Sequence, residues 1–180
     1  MPSLQRIAKG LASLLSVQGP VSPPAFIGVS SKSLEGRWRD HFIKLDSSLV
    51  SRLEDWLSQY PPSEHDLYFC PTPLRSRRRR KGQVIGSRVV WADLDTIDPA
   101  TLTHSPTIAW NSSPGRWQAL WKLDKFLPPN EIEDLCKRMT YSIGADKGGW
   151  DLTQVLRIPN TINHKYPIRI TSGMMIGGEM

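Results

Sequence analysis

The chain has 180 residues, room for one domain or at most two, and its 39% apolar and 22% charged residues with seven tryptophans exclude disorder throughout. The net charge of +6 sits in one place: of 23 basic residues, six (Arg75, Arg77, Arg78, Arg79, Arg80, Lys81) fall within residues 75–81, and the other 17 equal the 17 acidic ones. Two cysteines, Cys70 and Cys136, exclude a disulfide framework and a cysteine-rich zinc site; no apolar run reaches the ~20 residues of a membrane span, and the N-terminus lacks a signal-peptide core. A protein of the reducing cytoplasm, away from membranes, is expected.

In chain order, Leu4, Ile7, Leu11, Leu14 and Leu15 predict an amphipathic helix over residues 3–17, ended by Gly19, Pro20, Pro23 and Pro24. Short strands are expected at residues 25–29 and 38–45. Ser47 is the expected cap of a second helix with Leu49, Leu53, Trp56, Leu57 and Tyr60 on one face. A strand at 66–70 precedes the proline-flanked basic loop of residues 71–82, which by itself reads as a solvated loop or a polyanion contact. The clearest strand covers residues 88–95, Arg-Val-Val-Trp-Ala-Asp-Leu-Asp. Residues 107–110 and 118–123 are further strands, with Pro114-Gly115 marking a turn between them. Asn130 is the expected cap of a third helix bearing Glu131, Glu133 and Asp134 early and Lys137 and Arg138 late, which matches its dipole. Asp151 is the expected cap of a short helix through Leu156, and residues 167–172 are a last strand. Together these give a mixed α and β chain without repeats.

Three segments carry chemistry. Asp93 and Asp95 alternate on a strand, so their carboxylates share a face, ~6.5–7 Å apart along the backbone, and suit one or two metal ions. Acids ending an apolar strand resist burial, so the bland reading places them in solvent beyond the strand end. The turn holding Ser113, Gly115 and Arg116 leads into a strand where Gln118 and Lys122 share a face; exposed backbone N–H groups with polar side chains just inside suit phosphate, although an ordinary hairpin looks the same. Residues 151–165 supply Asp151 and then Arg157, Asn163 and Lys165, the mixture that completes a metal site and neutralises a triphosphate. Locally, Asp151 also reads as a plain helix cap and Arg157 as a surface cation.

These segments, in this order, resemble the archaeo-eukaryotic primase superfamily, and within it the primase-polymerase domains of phage and plasmid replication proteins. The resemblance runs over residues 66–166: Tyr-Phe-Cys-Pro-Thr-Pro-Leu at 68–74, Trp-Ala-Asp-Leu-Asp at 91–95, Ser-Ser-Pro-Gly-Arg-Trp-Gln-Ala-Leu-Trp-Lys-Leu at 112–123, and Leu-Arg-Ile-Pro-Asn-Thr-Ile-Asn-His-Lys at 156–165. It implies an α/β (α+β) domain over 1–180, with a smaller α/β unit at 1–65 and, over 66–172, a catalytic palm with a mixed or antiparallel sheet like that of the RNA-recognition motif. Asp93 and Asp95 match the family's metal-binding pair and Asp151 its third carboxylate, with Asp146 the alternative occupant. Gln118 stands where the family usually has a phosphate-contacting histidine, and none of the four histidines replaces it at that spacing. Asn160 stands where glycine is common, a place asparagine tolerates because it accepts left-handed backbone.

The implied activity is template-directed nucleotidyl transfer with two Mg²⁺ or Mn²⁺ ions and no zinc. Ser113, Gly115, Arg116, Gln118, Lys122, Arg157, Asn163 and Lys165 are the nucleotide-binding candidates. The basic run would meet a single-stranded DNA template, nucleoside triphosphates are the substrates, and a helicase domain or protein is a further partner in a bacterial or phage-infected cell. The alternative from another class is a catalytically weak or inactive single-strand-binding module of a replication protein. A sugar-nucleotide transferase would explain Asp93 and Asp95 but neither the basic run nor residues 151–165, and rolling-circle nicking lacks its histidine pair.

Overall fold

The structure is a computed structural model that describes residues 2–166 and 174–176. Its elements are α1 (Leu4–Ser16), β1 (Phe26–Ser33), β2 (Trp38–Lys44), α2 (Leu49–Gln59), β3 (His65–Phe69), β4 (Ser87–Asp95), β5 (Ile108–Ser113), β6 (Arg116–Leu127), α3 (Pro129–Ile143), β7 (Leu156–Arg157) and β8 (Met174–Ile176). The expected strand at 167–172 lies outside the described residues. No helix among the described residues is long and apolar enough to cross a membrane.

The strands form two four-stranded antiparallel sheets, ordered β2-β1-β3-β7 and β4-β6-β5-β8. Residue 65 lies inside β3, and the first sheet draws strands from both sides of it. The period-2 pattern of the sequence explains the faces. Ile27, Val29, Ile43, Leu67, Phe69 and Leu156 lie on one face of the first sheet and are buried. The opposite face carries Lys32, Trp38, Asp40, Asp66, Tyr68 and Arg157 in register.

In the second sheet Ala92, Ala119 and Ala109 align across β4, β6 and β5, and this row of small side chains packs with Met139 and Ile143 of α3. The other face presents Trp91, Leu120 and Trp110. Phe69 meets Trp110 with ring centroids 6.1 Å apart, and one core cluster runs from α1 and α2 through both sheets to α3. Both cysteines are free and buried; burial pushes the Cys136 thiol up to about 12, so it is unreactive at neutral pH.

Several local expectations are corrected. The residue before α2 is Ser48, whose hydroxyl makes no cap bond; the Asp46 carboxylate accepts from the Ser48 N–H instead, at 3.0 Å, so Ser47 caps nothing. Helix α3 starts at Pro129, ahead of Asn130, because a proline needs no N–H partner in the first turn and its φ is already helical. Asp151 opens a turn and no helix: its carboxylate accepts from the Thr153 N–H at 2.7 Å and the Thr153 hydroxyl at 2.6 Å, a local bond that competes with helix formation, and the chain then enters β7 beside β3.

Candidate active-site cleft

The polar face of the first sheet and the outer ends of β4, β5 and β6 enclose a cleft of 560 Å³. Its walls include Lys32, Asp66 and Tyr68 from the first sheet, Asp93, Ser113, Arg116 and Gln118 from the second, and Arg157, Asn163 and Lys165 from the segment around β7. Of the nucleotide-binding candidates, Ser113, Arg116, Gln118, Arg157, Asn163 and Lys165 are therefore brought together. Gly115 is the exposed second residue of the hairpin turn after Pro114, with φ +64°, the pattern of a type II turn. Lys122 lies farther along β6, exposed, opposite Val89 and outside the cleft.

Asp93 and Asp95 do not sit as an unbroken strand pair. The β4–β6 register shifts between them and Asp95 has φ +51°. Asp93 lines the cleft and bonds both Gln118 Nε2 at 3.3 Å and the Asp95 backbone N–H. Burial, followed by the negative charges of Asp146 and Asp95, raises the Asp93 pKa despite those hydrogen bonds. Asp95 is partly exposed and ion-pairs with Arg116 across the hairpin. The strand-end position thus exposes Asp95 as the bland reading requires, but draws Asp93 inward.

The 145–149 loop adds a third acid. Asp146 N donates to Asp93 O at 2.9 Å along the open edge of β4, and Trp91 Nε1 donates to Gly149 O at 3.0 Å. A Cβ at Gly149 would lie 3.2 Å from Asp146 O and 3.3 Å from Asp93 Cβ, so a larger residue there would have to push the loop or Asp93 back by a few tenths of an ångström. Asp151 is elsewhere: Lys81 binds its carboxylate at 2.7 Å and also reaches Glu133 at 2.5 Å. Burial pushes the Asp151 pKa up, but the bonds from Lys81 and Thr153 outweigh this and hold it low.

Among the described residues no three His, Cys, Asp or Glu side chains converge on one metal position. The donor chemistry still fits a hard divalent cation. Mg²⁺ takes oxygen ligands, is commonly held by one or two carboxylates plus substrate phosphates, and keeps several waters. Asp93 and Asp95 supply that minimum, and the unneutralised charge felt by Asp93 is what a cation would relieve.

Arg157 is no surface cation. It is 7% exposed, donates to Asp66 Oδ1 at 2.9 Å, Tyr68 Oη at 3.0 Å and Ile162 O at 3.2 Å, and lies over the Tyr68 ring. Gln118 is equally engaged: its Oε1 accepts from Arg157 N at 2.9 Å while its Nε2 donates to Asp93. This carboxamide links the two sheets across the cleft. Asn163 Nδ2 donates to Ser112 O at 2.8 Å, and Asn160 has φ +63°, the left-handed backbone expected for it. Lys32 and Lys165 have no ion pair among the described residues.

Sequence reasoning missed Lys32, Asp66 and Tyr68. Asp66 and Tyr68 alternate along a strand otherwise made of Leu67 and Phe69, a signal that one face of β3 is polar. Lys32 gave no such signal; its place follows from pairing with Asp66.

In the basic run, Arg79 binds Asp40 with two bonds of 3.2 Å and donates to Thr153 O at 2.8 Å. Its stem crosses Gly28, where a side chain would meet Cys70, Leu74 and Arg79. Arg77 lies over the Phe26 ring at 5.6 Å. Arg75, Arg78 and Arg80 are exposed and have no acidic partner among the described residues.

This arrangement of two antiparallel sheets belongs to a known class. Primase RepB′ superposes with a TM-score of 0.68 at 16% identity over 96% of this chain. The catalytic domain of primase RepB′ in complex with initiator DNA gives 0.68 at 15% identity, covering 96% of this chain and 84% of that one. The archaeo-eukaryotic primase domain of cyanophage S-2L primase-polymerase gives 0.68 at 11%, covering 96% and 91%. The fold is thus of the archaeo-eukaryotic primase type, and the chain spans 56% of the length of the first of these structures. A model of the RepB DNA-primase N-terminal domain matches residues 37–175, and the chain belongs to that family. No curated protein matches the chain in sequence.

Proposed function

We propose that the chain is a nucleotidyltransferase of phage or plasmid DNA replication that makes or extends a primer from nucleoside triphosphates on single-stranded DNA. The observation that carries this reading is a half-buried carboxyl, Asp93, facing a cleft whose walls also hold Lys32, Arg157 and Lys165. Asp93 and Asp95 would hold Mg²⁺ or Mn²⁺, with Asp146 the carboxylate nearest in effect to join them and Asp151 engaged by Lys81. Such an ion, when bound, lowers the pKa of the attacking 3′-hydroxyl and offsets charge on the leaving pyrophosphate. The protein's own contribution is positional and electrostatic. Lys32 and Lys165 neutralise the triphosphate, and the turn through Gly115 and Arg116 closes its end of the cleft. Gln118 orients Asp93, and Arg157, fixed by Asp66, presents a positive face without being free to swing. The parts on both sides of residue 65 build one catalytic domain.

Primer synthesis by the purified protein, with single-stranded template, nucleotides and Mg²⁺ or Mn²⁺, tests the reading. Product from the wild type and none from D93A/D95A is expected; equal product from both would sink the assignment. D146A is expected to lose more activity than D151A. The engagement of Gln118 by Asp93 and Arg157, in place of a free phosphate-contacting histidine, favours one rival: a module that binds single strands without catalysis. Salt-dependent DNA binding with no metal-dependent incorporation would establish it.

A further inference from the structure

Trp38 lies outside both hydrophobic core clusters. It lies on β2, the outer strand of its sheet, on the face opposite Ile27, Val29 and Phe69, and 41% of it is exposed. Yet it is held firmly. Its indole N–H donates to Asp40 Oδ1 at 2.8 Å, and the same oxygen accepts from Ser30 Oγ at 2.7 Å and Arg79 Nη2 at 3.2 Å. Its ring packs on Tyr68 with centroids 5.0 Å apart, and Arg157 lies over Tyr68 at 4.9 Å from the ring centroid. Trp38, Tyr68 and Arg157 thus form a stacked line that starts in solvent and ends in the cleft. Cross-strand register supports the same line, since Trp38 pairs with Lys32, and Lys32 with Asp66, both on the cleft wall.

The outer end of this line is tied to the basic run. Arg79 shares Asp40 with Trp38, and its chain neighbours Arg78 and Arg80 are exposed. A half-open indole that shares Asp40 with Arg79, next in the chain to Arg78 and Arg80, which have no acidic partner among the described residues, brings together the two features by which proteins bind single strands: cations for the backbone and an aromatic face for a base. We propose that Trp38 is a base-stacking platform for a single DNA strand that runs from the basic loop toward the cleft. The inference rests on the nucleic-acid side of the proposed function and is independent of catalysis. A strand, and not the incoming nucleotide, is the ligand, because Trp38 stands outside the cleft lining and beside the basic run.

The test compares oligo(dT) with an abasic oligonucleotide of equal length and charge, by fluorescence anisotropy at one salt concentration. Wild type is expected to bind oligo(dT) about tenfold more tightly than the abasic strand, as one stacked base provides. W38A should lose that preference while its affinity for the abasic strand stays as in wild type, which also shows that it has folded; W38F should keep most of it. A preference that survives W38A, or a wild type that binds both strands equally, overturns the proposal. Loss of nucleoside-triphosphate binding in W38A would assign the ring to the incoming nucleotide and overturn it likewise. If neither strand binds, the nucleic-acid reading falls and takes the platform with it, whereas absent primer synthesis with an intact base preference removes only catalysis.

Discussion

At Asp93, burial and the charges of Asp146 and Asp95 act together to favour the protonated form. The consequence for stability has a definite sign. Below the unfolded aspartate pKa of about 3.9 the carboxyl is protonated in both states and costs nothing; as pH rises through the raised folded value, the unfolded chain releases the proton more readily and stability falls. D93N keeps an acceptor for Gln118 but cannot ionise. It should therefore melt higher than wild type at pH 7.5, by about 2–4 °C for each ~1 kcal/mol of repulsion removed, with the gain shrinking toward pH 4. A melting series over that range without Mg²⁺ reads this directly; an unchanged or lower melting point at pH 7.5 would mean the site holds its charge without strain. Added Mg²⁺ should raise the wild-type melting point and leave D93N unmoved. The strand alternation of two acids in residues 88–95 was readable from sequence. That one would be drawn into the cleft wall and the other paired with Arg116 was not, because the register shift and the positive φ at Asp95 arise from pairing with β6.

Among the elements, β7 is the most dependent on its surroundings. Two residues long, it is held by Arg157, whose guanidinium joins Asp66 and Tyr68 of β3 and whose backbone joins Gln118 and Trp110 of the other sheet. Removing the cation leaves Asp66, whose side chain is 14% exposed, with only the His164 N–H on its carboxylate among the described residues, at a cost of up to ~3–5 kcal/mol. R157A should thus be strongly destabilised, and R157A/D66A less so than R157A alone, since the double variant removes the orphaned charge. Urea unfolding of the set gives the coupling energy; additive effects would show that the ion pair does not hold β7. The cations and amides of residues 156–165 were legible in the sequence, and Arg157, Asn163 and Lys165 among them line the cleft. The secondary structure of this segment was not legible, because the Asp151 turn and the β7 pairing compete with a helix whose local signals are equally good. By contrast α1 and β4 came through within a residue or two, each having a long, unbroken apolar period.

For the molecule as a whole, the charge concentrated in residues 75–81 divides into two jobs. Arg79 and Lys81 fasten the loop to Asp40, Glu133 and Asp151, joining the first sheet, α3 and the segment before β7. Arg75, Arg78 and Arg80 stay exposed without acidic partners among the described residues, and Arg77 rests on Phe26. Changing Arg75, Arg78 and Arg80 to Gln should therefore weaken single-strand binding and lower the slope of log affinity against log salt by ~0.7 for each lost phosphate contact, without affecting the melting temperature. An unchanged slope would return these three arginines to solvent. R79Q should instead lower the melting temperature, though the exposure of its pair limits the ionic part to ~1 kcal/mol or less.

Local sequence pattern accounts for where most of the helices and strands lie, which stripe of each is apolar, where the excess charge is concentrated and which short segments carry acids, amides and cations. Those properties are local: a period of 3.6 or 2, a turn residue or a run of arginines is complete within a dozen positions. Tertiary structure decided which of those groups meet. Arg157 finds Asp66 91 positions away, Arg79 finds Asp40 39 away, and Gln118 reaches both Asp93 and Arg157, so the partner of each side chain depends on how two sheets pack. Asp146 beside Asp93, Asp151 held by Lys81, and Trp38 stacked on Tyr68 follow from that packing, because burial and charge pairing are settled by neighbours in space.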